Sequence, residues 1–266
     1  MIIRRIVPVK SLVAPSKLPG TDFVINPYIG CPHQCVYCYA EFMKRFTNHT
    51  EDWGDFLDIK RAEKPIDIRK LAGKRIVISS VTDLYNAFEK RYQVTRHILE
   101  QLQNAHAAIT IITKSDLILR DIDLIGRLEN AEVAISLNSL DDTFRRRFEP
   151  RAPDASRRLS ALRRLHEAGI RTILFMSPIF PGITRFADIL DASQAFTGEY
   201  WFENLNLDNM ARNRVARAIG RYYPELVPLY RTLYREGDRT WWKRLARDIE
   251  THCRQHGMAF RNLFHN

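Results

Sequence analysis

The segment Ala108-Ile-Thr-Ile-Ile-Thr-Lys114 is short, almost continuously apolar and closed by a charged residue. This is the pattern of a strand that is buried on both faces of a parallel sheet. The same apolar pattern recurs along the chain. The other segments that show it are Asp22–Asn26, Arg75–Val81, Val133–Asn138, Arg171–Ser177 and Tyr200–Asn206. The recurrence predicts six parallel strands.

Helical patterns lie between these segments. They cover Thr95–Asn104, Leu117–Leu128, Arg157–Ala168 and Arg185–Phe196. Strand and helix therefore alternate, which predicts an α/β fold with right-handed crossovers. After Leu207 the strand pattern ends, and further helices are predicted at Arg212–Arg221, Leu226–Arg235 and Thr240–His256. Because no low-complexity linker interrupts the chain, we expect a core at residues 1–207 and a basic helical extension at residues 208–266 that packs on it.

Composition limits the class of protein. Of the 266 residues 27% are charged, and no apolar run approaches the roughly 18 residues that span a bilayer, so no membrane segment is expected. The first residues, Met-Ile-Ile-Arg-Arg-Ile-Val-Pro, lack the apolar region of a secretory signal. This predicts a cytoplasmic protein in a reducing compartment, where the four cysteines are not expected to form disulfides.

Positive charge dominates the chain. The formal net charge is +10, which favours polyanionic partners such as nucleic acid. From Ala211 onward, twelve Lys or Arg residues stand against five Asp or Glu residues. This block has two interpretations, solvated helix faces or a polyanion-binding surface. The arginines that would line such a surface are Arg212, Arg214, Arg217 and Arg221.

The segment Asn26-Pro-Tyr-Ile-Gly-Cys31-Pro-His-Gln-Cys35-Val-Tyr-Cys38-Tyr-Ala40 indicates the chemistry. Three cysteines spaced C-x3-C-x2-C directly after a strand can converge on one iron–sulfur cluster. The remaining cysteine, Cys253, lies in a predicted helix far along the chain. One iron of a four-iron cluster would therefore stay open to a ligand, as a catalytic cluster requires. The alternative is a zinc ion held by the three cysteines and His33.

The cysteine spacing, with an aromatic residue before the third cysteine, resembles the signature of radical S-adenosylmethionine (radical SAM) enzymes. The wider segment is similar to the spore photoproduct lyase-like branch, often called DNA repair photolyase, and above all to its radical SAM mobile pair protein B group. Further matching segments are Trp53-Gly54, Thr82-Asp83, Thr113-Lys114-Ser115, Glu149-Pro150-Arg151-Ala152-Pro153 and Trp201-Phe202-Glu203-Asn204. The resemblance extends over most of the chain.

The resemblance implies a partial (β/α)6 TIM-type barrel and a [4Fe–4S] cluster held by Cys31, Cys35 and Cys38. It also implies that S-adenosylmethionine binds the open iron through its amino and carboxylate groups. Reductive cleavage then yields methionine and the 5′-deoxyadenosyl radical. The partners that the resemblance implies are a reductase, such as flavodoxin or ferredoxin, and a second radical SAM protein.

Functional groups of such barrels lie at the carboxyl ends of the strands, which directs attention to the polar residues there. Thr82 and Asp83 could accept hydrogen bonds from the methionine ammonium, or they could simply form a turn. Lys114 suits the methionine carboxylate. Arg151 and Arg158 are alternative carboxylate ligands that the sequence does not separate from Lys114.

A second set of polar and aromatic residues lies near the same strand ends. Ser136 and Asn138 share one face of their strand and are candidates for the ribose hydroxyls, with a purely structural role as the alternative. By the resemblance, Tyr37 packs near the adenine, with core packing as the alternative.

Tyr39 matches a tyrosine that is implicated in hydrogen-atom return in the lyases. The lyases carry a cysteine where this chain has Ser80, and a serine O–H bond is too strong for that step. Tyr39 is therefore the candidate catalytic residue.

The sequence thus predicts a radical SAM enzyme that acts on nucleic acid, for example on a photolesion or a modified base. A radical enzyme that modifies a protein or peptide is the second hypothesis. The third hypothesis is a zinc-stabilised module that binds nucleic acid without catalysis.

Overall fold

A mainly parallel sheet of eight strands forms the centre of the computed structural model, which describes residues 2–207 and 210–265. The strands along the chain are β1 (Ile3–Val9), β2 (Val13–Pro15), β3 (Phe23–Ile25), β4 (Tyr28–Ile29), β5 (Phe56–Ala62), β6 (Arg75–Ile78), β7 (Ala108–Thr113), β8 (Asn130–Ser136), β9 (Arg171–Ile179), β10 (Glu199–Asn204) and β11 (Phe260–Asn262). In the large sheet their order is β11-β10-β9-β8-β7-β6-β3-β2. The six predicted strands are its adjacent, parallel members β3 and β6 to β10. This confirms the α/β class and the partial barrel.

The prediction that the strands end at Leu207 is wrong. Strand β11 pairs in parallel with β10, so the C-terminal extension adds a strand to the edge of the barrel sheet. A three-residue strand has too short a pattern to be recognised alone, and this one exists because a partner edge is available. A second, small sheet of β1, β5 and β4 was also not predicted. Strand β1 is largely exposed and therefore carries no burial pattern.

Helices cover the outer face of the large sheet. Along the chain they are α1 (Glu89–Tyr92), α2 (Val94–Gln101), α3 (Ile122–Ile125), α4 (Asp142–Phe148), α5 (Ala155–Glu167), α6 (Phe186–Ser193), α7 (Arg212–Tyr222), α8 (Val227–Tyr234) and α9 (Thr240–Gln255). Short 3-10 helices lie at Tyr39–Phe46, Ile68–Leu71, Asp116–Asp121, Gln194–Phe196 and Pro224–Leu226. In the described part of the chain, no helix combines the length and the apolar character needed to cross a membrane.

The predicted helix Leu117–Leu128 is divided in the structure. A 3-10 helix at Asp116–Asp121 precedes α3. The buried carboxylate of Asp121 binds the guanidinium groups of Arg96 and Arg120 at 2.7 and 2.6 Å. These ion pairs fix the chain where the 3-10 helix meets α3. Helical periodicity in the sequence does not reveal such a junction.

The C-terminal extension shares the main hydrophobic core of the barrel. Val215 and Ile219 of α7 and Cys253 of α9 are fully buried members of that core. The predicted boundary between residues 207 and 208 adjoins positions 208 and 209, which lie outside the described residues.

The strands present two different faces. Val133, Ile135 and Leu174 pack into the core beneath the helices, whereas the alternate residues Ala134 and Ile173 form an apolar cluster on the inner face. Trp201, Ile112 and Phe175 complete that inner cluster. Two positions further along, the inner face becomes polar, with Lys114, Ser136, Ser177 and Glu203. The carboxyl edge of the barrel sheet therefore has a polar interior.

Candidate active site

The cysteine loop, residues 30–40, connects β4 to the 3-10 helix that begins at Tyr39. Its three cysteines are unpaired and half-buried. The backbone folds back on itself, because the amide of Gln34 donates to the carbonyl of Cys31 at 3.3 Å and the amide of Cys38 donates to the carbonyl of Cys35 at 3.1 Å. Between these turns, the amide of Val36 donates to the carbonyl of Phe148 at 2.9 Å. All three thiols are thus held in one short, anchored loop.

Two glycines permit the close packing around this loop. Gly30 has a φ of +90°, and a Cβ atom there would lie 2.3 Å from the carbonyl oxygen of Phe56. Gly54 has a φ of +101°, and a Cβ atom there would lie 2.5 Å from Gln34 Cγ. A side chain at either position would therefore force the cysteine loop away from the segment that supports it.

Hydrogen-bond donors point at the cysteine sulfurs. Burial raises the pKa of all three thiols, that of Cys31 to about 12. Against this effect, backbone amides of His33 and Asp83 lower the pKa of Cys31, and the Trp53 indole donates to Cys38 Sγ at 3.3 Å. Donors of this kind stabilise thiolates, which are the form that binds a metal centre.

The imidazole of His33 contacts a carboxylate, which makes it a poor candidate for a metal ligand. It is buried, and its Nδ1 lies 3.5 Å from the carboxylate of Asp83. Among the residues that the structure describes, no three His, Cys, Asp or Glu side chains are placed to share a single metal ion. The His33–Asp83 contact therefore disfavours the arrangement in which His33 completes a zinc site.

Glu149 is the centre of a buried polar network beside the cysteine loop. The Tyr37 hydroxyl and the Arg158 guanidinium both donate to its carboxylate, and Asn138 donates to the Tyr37 oxygen at 3.3 Å. Burial opposes ionisation of Glu149, but the charges of Arg158 and Lys114 outweigh it and lower the pKa to about 2. Glu149 lies in one of the segments that match the family, but its sequence context alone indicates no role for it.

Three predicted carboxylate ligands have different surroundings. Arg158 is 1% exposed, and besides Glu149 it donates to the carbonyls of Pro153 at 2.8 Å and Ser136 at 3.0 Å. Arg151 is exposed. The Lys114 ammonium lies 5.8 Å from the centre of the Tyr37 ring, and among the described residues it has no carboxylate within 4 Å.

Asp83 and Thr82 lie beside the cysteine loop but are engaged in shaping it. The Asp83 carboxylate accepts hydrogen bonds from the Tyr85 amide at 2.9 Å, the Thr113 hydroxyl at 2.7 Å and the Lys114 amide at 2.8 Å. The Thr82 hydroxyl donates to the carbonyl of Gly30 at 2.7 Å. With the His33 contact, the carboxylate has few lone pairs left, which favours the turn role over a contact with the methionine ammonium.

Tyr39 and Ser80, the two positions at which the chain is compared with the lyases, are in contact. The Tyr39 hydroxyl donates to the backbone carbonyl of Ser80. Asn26 holds that carbonyl in place, because its side chain accepts from the amides of Ser80 at 2.9 Å and Val81 at 3.1 Å. Tyr39 is 49% exposed, and partial desolvation of its hydroxyl together with the nearby charge of Glu203 raises its pKa.

The polar group of Ser177, Glu203 and His265 was missed by sequence reasoning. Ser177 donates to one oxygen of Glu203, and His265 Nε2 lies 3.0 Å from the other oxygen. The Asn204 side chain fixes the backbone of His265 through two hydrogen bonds. It accepts one from the His265 amide at 2.7 Å and donates one to the His265 carbonyl at 3.2 Å. This group lies at the carboxyl ends of β9 and β10, on the side of Tyr39.

Two of the four arginines predicted to face a polyanion are bound to the protein itself. Arg212 donates to the carbonyl of Tyr234, and Arg214 binds Glu41 and the cysteine loop. Arg217 and Arg221 are exposed. Arg212 is exposed as well, whereas Arg214 is half-buried and directed to the cysteine loop, so a polyanion surface on α7 would not include Arg214.

Comparison with known families decides the class of protein. The model of the Radical SAM superfamily matches residues 25–192, which include the three cysteines and the barrel strands β6 to β9. The chain belongs to the radical SAM superfamily. This membership confirms that the protein is a radical SAM enzyme, whose family uses S-adenosylmethionine and an iron–sulfur cluster.

Similar proteins come from several lineages. An uncharacterized protein of Methanocaldococcus jannaschii is 37% identical over 216 residues, which cover 81% of this chain and 82% of that protein. An uncharacterized protein of Mycobacterium tuberculosis is 28% identical over 231 residues, which cover 81% of this chain and 68% of that protein.

Solved structures show the same fold. Spore photoproduct lyase complexed with dinucleoside spore photoproduct is matched with a TM-score of 0.58 at 16% identity, over 84% of this chain and 66% of the lyase. Streptococcus suis SuiB bound to S-adenosylmethionine is matched with a TM-score of 0.58 at 12% identity, over 91% of this chain and 50% of SuiB. The chain thus spans about two thirds of the lyase and half of SuiB, and at these identities the likeness concerns the fold.

The buried charge of Glu149 yields a prediction for this radical SAM enzyme. Its pKa of about 2 in the folded protein lies below the ordinary value of 4.5, so the ionised carboxylate stabilises the fold above about pH 4.5. That stabilisation is lost as the pH falls toward 2. We expect Glu149→Gln to lower the free energy of unfolding at pH 7 by about 3 kcal/mol, because Arg158 keeps a buried charge without its partner.

Denaturant unfolding of the wild type and of Glu149→Gln between pH 7 and pH 2 measures this effect. The difference between the two proteins should shrink as the pH falls below about 4.5. A difference that is the same at pH 7 and at pH 3 would contradict the assignment of the stabilising charge to Glu149.

Proposed function

We propose that this radical SAM enzyme holds a [4Fe–4S] cluster on Cys31, Cys35 and Cys38 and acts on a nucleic acid. When bound, the cluster and S-adenosylmethionine supply a 5′-deoxyadenosyl radical that abstracts a hydrogen atom from the substrate. The observation that carries the proposal is the cysteine loop, in which three thiols are anchored together with amide and indole donors directed at their sulfurs. This donor set suits an iron–sulfur cluster.

Lys114 is the residue that we assign to the carboxylate of S-adenosylmethionine. Burial opposes its charge, but Cys35 and Glu149 outweigh that effect and raise its pKa, so the ammonium stays charged at neutral pH. Arg158 has its guanidinium committed to Glu149 and two carbonyls. Among the described residues Lys114 has no carboxylate within 4 Å, so its half-buried ammonium is the better ligand for an incoming anion.

Other residues would orient the remainder of the cofactor. We assign Ser136 and Asn138 to the ribose hydroxyls and Tyr37 to the adenine, and the contact of the Asn138 amide with the Tyr37 hydroxyl at 3.3 Å supports a shared site. Asp83 and Thr82 act on the cofactor through the shape of the loop. Tyr39, at the edge of the barrel, is the candidate donor of a hydrogen atom to the substrate radical.

Charge favours nucleic acid as the substrate. The chain has a net charge of +10, and the exposed Arg221 lies 5.1 Å from the centre of the Tyr222 ring, with Arg147 at 4.7 Å from the same ring. Guanidinium and aromatic groups in contact are typical of single-strand binding surfaces. Streptococcus suis SuiB, which has a similar fold, is also solved bound to its precursor peptide SuiA, and this supports a peptide substrate as the second candidate.

The proposal includes an electron donor such as flavodoxin or ferredoxin, because reductive cleavage needs an electron from outside the chain. A second radical SAM protein remains a proposed partner. A cytoplasmic location is also proposed, and the four unpaired cysteines fit a reducing compartment.

Polymer-dependent cleavage of S-adenosylmethionine tests the substrate class. Reduced, reconstituted protein is incubated with 5′-deuterated S-adenosylmethionine and single-stranded DNA, RNA or peptide. Formation of 5′-deoxyadenosine above the basal rate and transfer of deuterium into a polymer identify the substrate. Stimulation by peptide alone would overturn the nucleic-acid proposal and leave the radical SAM assignment intact.

Replacement of the cluster ligands gives the second prediction. Cys31→Ala, Cys35→Ala or Cys38→Ala should abolish iron binding, because a three-thiolate site that loses one ligand exposes the cluster to water and oxidation. Cys253→Ala is the matched control, since Cys253 is fully buried in the α9 core. Iron and sulfide content after anaerobic reconstitution are measured. Loss of the cluster in Cys253→Ala, or its retention in Cys35→Ala, would contradict the site.

Charge reversal on α7 gives the third prediction. The double variant Arg217→Glu and Arg221→Glu should bind single-stranded oligonucleotides more weakly. The slope of log affinity against log salt should become less steep by about 1.4, since two fewer phosphates of a single strand are neutralised. Arg235→Glu with Arg239→Glu is the control, because it changes the net charge equally at other exposed positions of the extension. Equal weakening by both double variants would argue against a specific surface.

Removal of the Tyr39 hydroxyl gives the fourth prediction. Tyr39→Phe should keep the cluster and the basal cleavage of S-adenosylmethionine but change the distribution of substrate products, because Phe has no O–H hydrogen to give. Ser80→Ala is the control, since the carbonyl that Tyr39 contacts remains. Chromatography with mass spectrometry of the products is the measurement. Products and rates identical to the wild type would leave Tyr39 with a packing role alone.

A further inference from the structure

Arg214 joins the C-terminal extension to the cysteine loop. Its Nε donates to the carbonyl of Val36 at 3.2 Å, its Nη2 donates to the carbonyl of Cys38 at 3.4 Å, and its Nη1 pairs with the carboxylate of Glu41. The three acceptors lie within six residues of the chain, before and inside the 3-10 helix that follows the loop. One guanidinium therefore bridges the whole second half of the loop.

Arginine is suited to this task in a way that lysine is not. The carbonyls of Val36 and Cys38 belong to a segment without a regular hydrogen-bond ladder, so they need donors from elsewhere. A guanidinium presents five N–H groups in a rigid fork and can meet acceptors in different directions at once. An ammonium group at the end of a lysine would reach fewer of them.

The backbone of α7 at Arg214 is held in place by the main hydrophobic core. The next residue, Val215, and Ile219 one turn later are fully buried, and they belong to the same hydrophobic core as the barrel. Cys35 and Val36 pack against that core. The guanidinium therefore projects from a rigid part of α7 onto the loop, and the Arg214 side chain is 31% exposed.

Arg214 also places a positive charge beside the third cysteine. Its Nη2 lies 3.4 Å from the backbone carbonyl oxygen of Cys38. A fixed positive charge near an iron–sulfur cluster favours the reduced state, because reduction adds negative charge there.

We propose that Arg214 is a positioning residue that orders the cysteine loop before cluster assembly and raises the reduction potential of the assembled cluster. The second part of this proposal rests on the proposed cluster; the first part concerns the loop alone. Through Arg214, the C-terminal extension thereby acts on the reaction centre.

Hydrogen exchange of the cluster-free protein tests the ordering of the loop. In Arg214→Ala, the amides of residues 36–46 should exchange about tenfold faster than in the wild type, because hydrogen bonds to a charged group are lost. Arg235→Ala is the matched control, since Arg235 is an exposed arginine of the same extension. Glu41→Gln weakens the same contact without changing α7, and it should raise exchange in the same segment by a smaller factor. Unchanged exchange in both Arg214→Ala and Glu41→Gln would overturn the ordering role.

Redox titration of the reconstituted protein tests the electrostatic role. The midpoint potential of Arg214→Ala should be more negative than that of the wild type. Arg214→Lys retains the charge, so its potential should stay close to that of the wild type while exchange of the loop remains fast. A wild-type potential in Arg214→Ala would overturn the electrostatic part. If the wild type itself binds no cluster, the proposed function fails, and the exchange data still decide the ordering role.

Discussion

The charge of Glu149 is the constraint on which the candidate site depends. Its carboxylate is 1% exposed, and an unpaired charge at such a position is strongly destabilising. The negative charge of Glu149 is stabilised by groups from three different parts of the fold. Arg158 comes from α5, Tyr37 from the cysteine loop and Lys114 from the end of β7. Tyr37, which precedes Cys38, is therefore oriented by the same carboxylate that pairs with Arg158 of α5.

Contacts with several separate parts of the fold hold the cysteine loop in place. Gly54 and Trp53 support it on one side, the Glu149 network on another, and α7 closes it through Arg214. A loop with little regular structure has many conformations in the unfolded chain, so its order must come from such contacts. The barrel strands alone supply few of them, which gives the extension a physical role in the site.

The sequence predicted the parts of this molecule whose pattern is local. Strands β6 to β10 are centred on apolar segments, and the cysteine spacing is contained in eight residues. Strand β11 was missed because it depends on the edge of β10. The contacts of Arg214, Glu203 and His265 were missed for a related reason: their partners lie 26 to 178 residues away, and no periodicity encodes such contacts. Likewise, only the fold shows that Arg158 is committed to Glu149 whereas Lys114 is not.

The polar interior of the barrel is asymmetric, and this bears on how the proposed substrate would enter. Lys114 supplies positive charge at β7, whereas the carboxylate of Glu203 lies at β10, paired with His265. Phosphates of a nucleic acid are repelled by Glu203, and the exposed arginines that could neutralise them, Arg217 and Arg221, lie on α7. An uncharged base is not excluded by Glu203, since a carboxylate accepts hydrogen bonds from N–H groups. If the substrate is a nucleic acid, as proposed, its backbone would therefore remain at Arg217 and Arg221 while a single base enters the barrel, which is the arrangement by which base-modifying enzymes reach their target.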